Sequence, residues 1–214
     1  MVFFPAMAAV RVEFERIGKR FGNRTVLTQI SGRLEPGRVC VVSGPNGSGK
    51  STLLNILAGV TRPSRGTVCY RAGDTELPRT TWFERLGVAA PDMAVYEELT
   101  ALENLAFFAR VRGLRSRAED HAALLEELGL PMREHRRAVG TFSSGMKQRV
   151  KLAQAVLHRP EVLLLDEPSS NLDEAGHRVV AGLVERFRAR AAVAVASNDP
   201  REIVWGDARI ELAL

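Results

Sequence analysis

A chain of 214 residues can bury a substantial core and suits one domain with room for a small subdomain. Apolar residues make up 45% and charged residues 26%, a balance that excludes a disordered chain. The net charge of +5 comes from scattered arginines, with no Lys/Arg run interleaved with aromatics, so direct nucleic-acid binding is not expected. A solvated basic surface and attraction to an anionic membrane face both stay open.

Cys40 and Cys69 stand far apart in apolar stretches, without the spacing of a zinc or redox motif, and are expected to be buried free thiols. The apolar opening, residues 1–10, lacks a basic leader and is a poor signal peptide. Nowhere do roughly 18 uncharged apolar residues run together, so any membrane crossing falls to another chain.

In chain order, Val10, Val12 and Phe14 alternate with charged residues, and a turn at Gly22-Asn23 leads to Val26, Leu27 and Ile30, which predicts half-buried antiparallel strands. Residues 39–42 form a short continuous apolar run, as in a strand covered on both faces. Leu53, Leu54, Ile56 and Leu57 recur at helical spacing and stop at Gly59. Further strands are predicted at 67–70 and 86–90. From 100 to 130 the periodicity is helical, with a capping box at Thr100 and Glu103, a shared face of Leu102, Leu105, Phe108 and Ala109, and Pro131 as its close. Another helix starts at Ser143 or Ser144 and runs to about His158, and buried strands follow at 162–165 and 191–196. Helices alternating with buried strands predict an α/β fold with a parallel sheet wrapped on both faces.

Gly44-Pro45-Asn46-Gly47-Ser48-Gly49-Lys50-Ser51 matches the eight-position phosphate-loop pattern, between a buried strand and a helix. Glycines let backbone N–H groups turn inward around phosphate oxygens, and the helix that Thr52 continues adds the positive end of its dipole. Lys50 would neutralise β- and γ-phosphate charge, and the Ser51 hydroxyl would ligate Mg²⁺. The strand 162–165 ends in Asp166 and Glu167. Asp166 is placed to hold the shell of Mg²⁺, and Glu167 to polarise the attacking water as general base.

With Phe142-Ser143-Ser144-Gly145-Met146-Lys147-Gln148-Arg149 upstream of Asp166, these residues resemble the ABC ATPase family over nearly the whole chain. The family signature is usually Leu-Ser-Gly-Gly-Gln; Ser143 and Gly145 match it, whereas Phe142, Ser144 and Met146 depart. The resemblance implies ATP and Mg²⁺ as cofactors, and it implies that Ser143 and Gly145 touch the γ-phosphate of nucleotide held by a second ATPase subunit, in a homodimer or heterodimer. Phe21 takes the place of the aromatic that stacks on adenine, and Asp173 that of the residue joining two active sites across the dimer. A core phenylalanine and ordinary loop capping are the plainer readings of these two.

Two positions depart further. Asp92 stands where the family has glutamine; it keeps an oxygen for Mg²⁺ but loses the amide donor and adds charge. Asn198 stands where the family has histidine; its amide can still donate to a γ-phosphate, without imidazole's capacity to become charged. All four histidines lie at or before His177, so none is expected to replace it locally.

The resemblance implies a P-loop NTPase core of about residues 1–92 and 150–214, with an N-terminal antiparallel β subdomain and a helical signature subdomain of about 93–149, within a single ABC ATPase domain. It also implies an ATP-hydrolysing subunit of an ABC transporter, cytoplasmic and held at the inner face of the membrane by a membrane-spanning partner that docks on the helical segment 97–137, entered at 96–100, where a solvated helical face is the plainer reading of the charges. A non-transport ABC ATPase acting on nucleic acid or the ribosome, or a slow nucleotide-binding regulator, are the alternatives. Compact size resembles the haem-exporter-type ATPases of cytochrome c maturation.

Overall fold

The alternation at Val10, Val12 and Phe14 begins β1 (Val10–Phe21), in which these three side chains are buried. Past Phe14 the register against the next strand shifts and Arg16 takes φ 48°, which returns Ile17 to the core and lets the strand run on to Phe21. Such a bulge interrupts the period-two pattern without ending the strand. The protein is described here by a computed structural model covering residues 9–213. All but the last residues of the opening stretch judged a poor signal peptide fall outside it.

β2 (Arg24–Leu34) and β4 (Arg65–Ala72) flank β1 antiparallel, and β5 (Thr75–Glu76) pairs with β4, giving one sheet in the order β2-β1-β4-β5. The second sheet is parallel. It comprises β3 (Val39–Ser43), β6 (Leu86–Ala89), β7 (Val162–Asp166), β8 (Ala192–Ala196) and β9 (Ala208–Glu211), ordered β6-β7-β8-β3-β9. Every residue of β3, β7 and β8 is buried, as a sheet covered on both faces requires.

Alternation within the strands sorts these side chains into two cores. On one face Val42, Leu164 and Ala194 meet the antiparallel sheet and α1 (Lys50–Leu57). On the other, Leu163, Leu165 and Val193 meet α3 (Ala101–Val111), α4 (Ala118–Glu127), α5 (Ser144–Val156) and α6 (Glu174–Arg188). Two single-turn helices, α2 (Trp82–Arg85) and α7 (Pro200–Ile203), complete the set. The carboxyl ends of β3, β7 and β8 lie side by side, with Ala196 in register with both Val42 and Asp166. Whatever leaves those three strands therefore gathers at one edge.

Several expectations need correction. The helical run over 100–130 is two helices, because Gly113 at φ 65° ends the first and α4 begins only at Ala118. The buried face of α3 is Ala101, Asn104, Leu105 and Ala109, with Leu102 and Phe108 only partly covered. Asn104 earns its burial by hydrogen bonding: Nδ2 donates to the Tyr96 and Thr100 carbonyls at 2.9 and 3.0 Å, and Oδ1 accepts the Tyr96 N–H at 2.9 Å. Cys69 is half-buried, unlike Cys40, whose thiol burial pushes up to about 11. α6, α7 and β9 go beyond the elements expected from the sequence. Among the described residues no helix is long and apolar enough to cross a membrane.

Candidate active site

The loop from β3 to α1 is built on glycines that nothing else can replace. A Cβ on Gly44, at φ 148°, would lie 2.3 Å from the Leu212 carbonyl oxygen and 2.8 Å from Ser48 Oγ. One on Gly49, at φ 100°, would lie 2.8 Å from Leu27 and 2.9 Å from Val26, so the loop is pressed against β2. Pro45, Asn46, Gly47 and Ser48 form the turn between, closed by the Ser48 N–H donating to the Pro45 carbonyl at 3.1 Å. Ser51 and Thr52 continue the first turn of α1, which has no side-chain cap, so its leading N–H groups are available to an anion.

Lys50 is buried, and its ammonium reaches back to donate to the carbonyls of Gly44 at 2.8 Å and Pro45 at 3.4 Å. It also lies 3.9 Å from Glu167 Oε1. The end of β7 and the residue after it thus bring Asp166 and Glu167 beside the loop. Burial raises the proton affinity of the Asp166 carboxyl, the Ser51 hydroxyl pulls it back, and nearby Asp92 raises it further. Asp166 Oδ1 is buried with no hydrogen-bond partner. Burial likewise raises Glu167, against the pull of Lys50 and reinforced by Glu202, Asp166 and Asp199. Glu167 sits at φ 46°, a left-handed conformation costing a non-glycine residue about 1–2 kcal/mol, and its N–H donates to the Ala196 carbonyl at 2.8 Å.

Asn198, leaving β8, reaches the same loop: its Nδ2 donates to Asn46 Oδ1 at 2.8 Å. Next to Asn198 in the chain, Asp199 Oδ2 lies 3.8 Å from His177 Nε2 of α6. That imidazole faces Asp199, whose carboxyl is held down to about 2, chiefly by its hydrogen bond with Arg201. Phe21 is 53% exposed at the end of β1, with Lys19 Nζ 4.7 Å above its ring. Arg24, which the sequence patterns did not single out, starts β2 beside Gly47.

Ser143 and Gly145 sit at the start of α5. Ser143 is its N-cap, with Oγ accepting the Met146 N–H at 3.2 Å. A Cβ on Gly145 would lie 2.7 Å from the Asn171 carbonyl oxygen, so this helix start is seated on the loop after Glu167. Asp173 caps α6 by accepting the Gly176 N–H at 2.8 Å, and it pairs with Arg149 of α5 at 3.4 Å. The plainer capping reading of Asp173 therefore holds within the single chain.

Fold and loop together define a nucleotide-binding domain of the phosphate-loop class. A family model described as ABC transporter matches residues 27–170, and the chain belongs to that family. The uncharacterized ABC transporter ATP-binding protein YdbJ of Bacillus subtilis is 37% identical over 79% of this chain and 54% of its own length. The Fe(3+) ions import ATP-binding protein FbpC of Brucella suis is 37% identical over 86% of this chain and 53% of its own. The chain thus spans about half the length of these curated relatives. A bacterial ABC transporter cassette solved as a dimer superposes with a TM-score of 0.84 over 94% of both chains at 23% identity, a likeness of fold.

Proposed function

We propose that the chain is an ATP-binding and ATP-hydrolysing subunit of an ABC transporter, in which ATP-driven closure of two such subunits moves substrate through a separate membrane-spanning partner. The observation that carries the reading is the meeting of Lys50 with Glu167 at 3.9 Å, at the mouth of an uncapped, glycine-built loop. In this reading the loop N–H groups of residues 44–52 and Lys50 hold the β- and γ-phosphates. Phe21 offers its exposed ring to adenine. Glu167 takes the proton of a water whose oxygen bonds to the γ-phosphorus, while the β–γ bridging bond breaks and ADP leaves with the electron pair. Its raised proton affinity suits a base, and the Asn198 amide, held against Asn46 of the loop, would be offered to the γ-phosphate.

The partnerless buried oxygen of Asp166, with the Ser51 hydroxyl beside it, fits a hard cation. Ser51 and Asp166 would hold Mg²⁺, with Asp92 adding an oxygen at the same place. There the ion would neutralise charge on the phosphoryl oxygens. The names of the relatives, an iron importer's ATP-binding protein among them, support transport. The dimeric cassette supports pairing with a second subunit, in which Ser143, Gly145 and Asp173 serve the opposing nucleotide. We place the single domain at the inner face of the membrane, its core about residues 1–92 and 150–214 and its helical part about 93–149.

Measuring Mg²⁺-dependent ATP turnover in the protein and in Glu167→Gln tests the proposal. Turnover that disappears in the variant, together with an ATP-bound dimer that persists, is the expected result. Equal rates in both would remove Glu167 as the base, and no turnover in either would leave a nucleotide-binding regulator instead.

A further inference from the structure

One peptide plane, between Pro168 and Ser169, is held at both ends by buried side chains from two other elements. The Pro168 carbonyl accepts from Gln148 Nε2 at 2.9 Å, and the Ser169 N–H donates to Glu202 Oε1 at 3.1 Å. Gln148 is 6% exposed on α5, and Glu202 is 1% exposed on α7. Among the described residues no cation lies within ion-pairing distance of Glu202, and its Oε2 has no hydrogen-bond partner. A carboxylate placed at such a cost in solvation has its one visible bond with this backbone.

The plane lies one residue past Glu167, the residue held at φ 46°. A left-handed non-glycine residue persists only where its surroundings over-determine it. Two further bonds contribute: Glu167 N–H to the Ala196 carbonyl at 2.8 Å, and Ser170 N–H to the Glu167 carbonyl at 3.0 Å. We propose that Gln148 and Glu202 are positioning residues for Glu167, clamping the 168–169 peptide from opposite ends so that the carboxylate is held toward the phosphate loop. The inference rests on Glu167 being the base.

The clamp joins three places in the fold. α5 begins at Ser143, and α7 begins immediately after Asn198, with Asp199 as its cap. A displacement of either helix start is therefore passed to the peptide behind Glu167. Neither Gln148 nor Glu202 makes a hydrogen bond or ion pair with the described loop of residues 44–52, so their effect is expected on turnover and not on nucleotide affinity.

The test uses the full-length protein and the variants Gln148→Met, Glu202→Leu and Glu202→Gln, each checked for folding by circular dichroism. Amide exchange of residues 167–172 is followed by mass spectrometry, ATP affinity by displacement of trinitrophenyl-ATP, and turnover by phosphate release. In Gln148→Met and Glu202→Leu, exchange of this segment should quicken and kcat should fall about tenfold or more while ATP affinity holds within about twofold. Glu202→Gln keeps an acceptor for the Ser169 N–H and should recover most of the loss. Unchanged exchange in both apolar variants overturns the clamp, and faster exchange with an unchanged kcat overturns its positioning role. If Glu202→Leu fails to fold, Gln148→Met decides by the same measurements. Absence of turnover in the unmodified protein would sink the ATPase reading, leaving the exchange rates to judge the clamp.

Discussion

Two helices here begin on turns suited to an anion, and they differ in what already satisfies them. α1 starts from Gly49 at φ 100° with no side-chain cap, while Lys50 is buried beside its free N–H groups. α5 starts from Ser143, whose hydroxyl already accepts the Met146 N–H at 3.2 Å. Both ends carry the positive pole of a helix dipole. Only the first has no side-chain cap at all and adds a buried cation. The contrast teaches that a helix start becomes a phosphate site through what it withholds from itself. A self-capped start such as that of α5 fits a supplementary role, toward nucleotide presented by another subunit.

The largest expected effect lies on the α1 side. Glu167→Gln should lower kcat by about a thousandfold with ATP still bound, as loss of a general base does. In the unmodified protein the acid limb of turnover should lie above the ordinary glutamate value of 4.5, because burial raises this carboxyl. A limb at or below that value would argue that another group takes the proton. Next, Lys50→Ala should weaken ATP binding to the isolated chain by about 1.5–3 kcal/mol, the worth of a hydrogen bond to a charged group, measured by calorimetry. Ser143→Ala should leave that binding unchanged. Equal losses in the two variants would erase the distinction between the helix starts.

The far end of α5 offers a sharper probe of stability. His158, just beyond that helix, is pushed down to about 4 by burial, with Arg112 adding to the effect. The unfolded chain takes up this proton near 6.5, and the folded chain refuses it until about 4. Stability present above 6.5 is therefore lost as pH falls toward 4, by up to about 1.4 kcal/mol per pH unit, and urea melts of His158→Gln should show a shallower slope. Smaller still is the cap: Ser143→Ala should cost about 1 kcal/mol in the same melts. Asn198→His should turn over as fast as the parent or a few-fold faster; a large loss would show that the amide bond to Asn46 has a role imidazole cannot fill.

The loop of residues 44–52 and the carboxylates of β7 were legible because local chemistry alone dictates them: glycine where a Cβ has no room, and a buried strand that ends in charge. The α6 helix was harder to read. Its buried face of His177, Val180, Leu183, Val184 and Phe187 has helical spacing, but Gly176 and Gly182 interrupt its propensity. Missing that helix also hid the approach of His177 to Asp199. Gln148 and Glu202 gave no signal of their burial, since a polar residue on a helix reads as solvent-facing until the packing is known. Asn104 escaped for the same reason.

The parallel sheet places β3 between β8 and β9, the last two strands in chain order. The strand that aims the phosphate loop therefore leaves the ribosome long before either neighbour exists, and its N–H and C=O groups stay unpaired until both arrive. Folding of this half is bound to be non-local and slow relative to the β1–β2 hairpin. A nascent chain lacking β8 and β9 should accordingly fail to retain ATP even though residues 44–52 are complete, which makes nucleotide capture a report that synthesis has passed the end of the sheet.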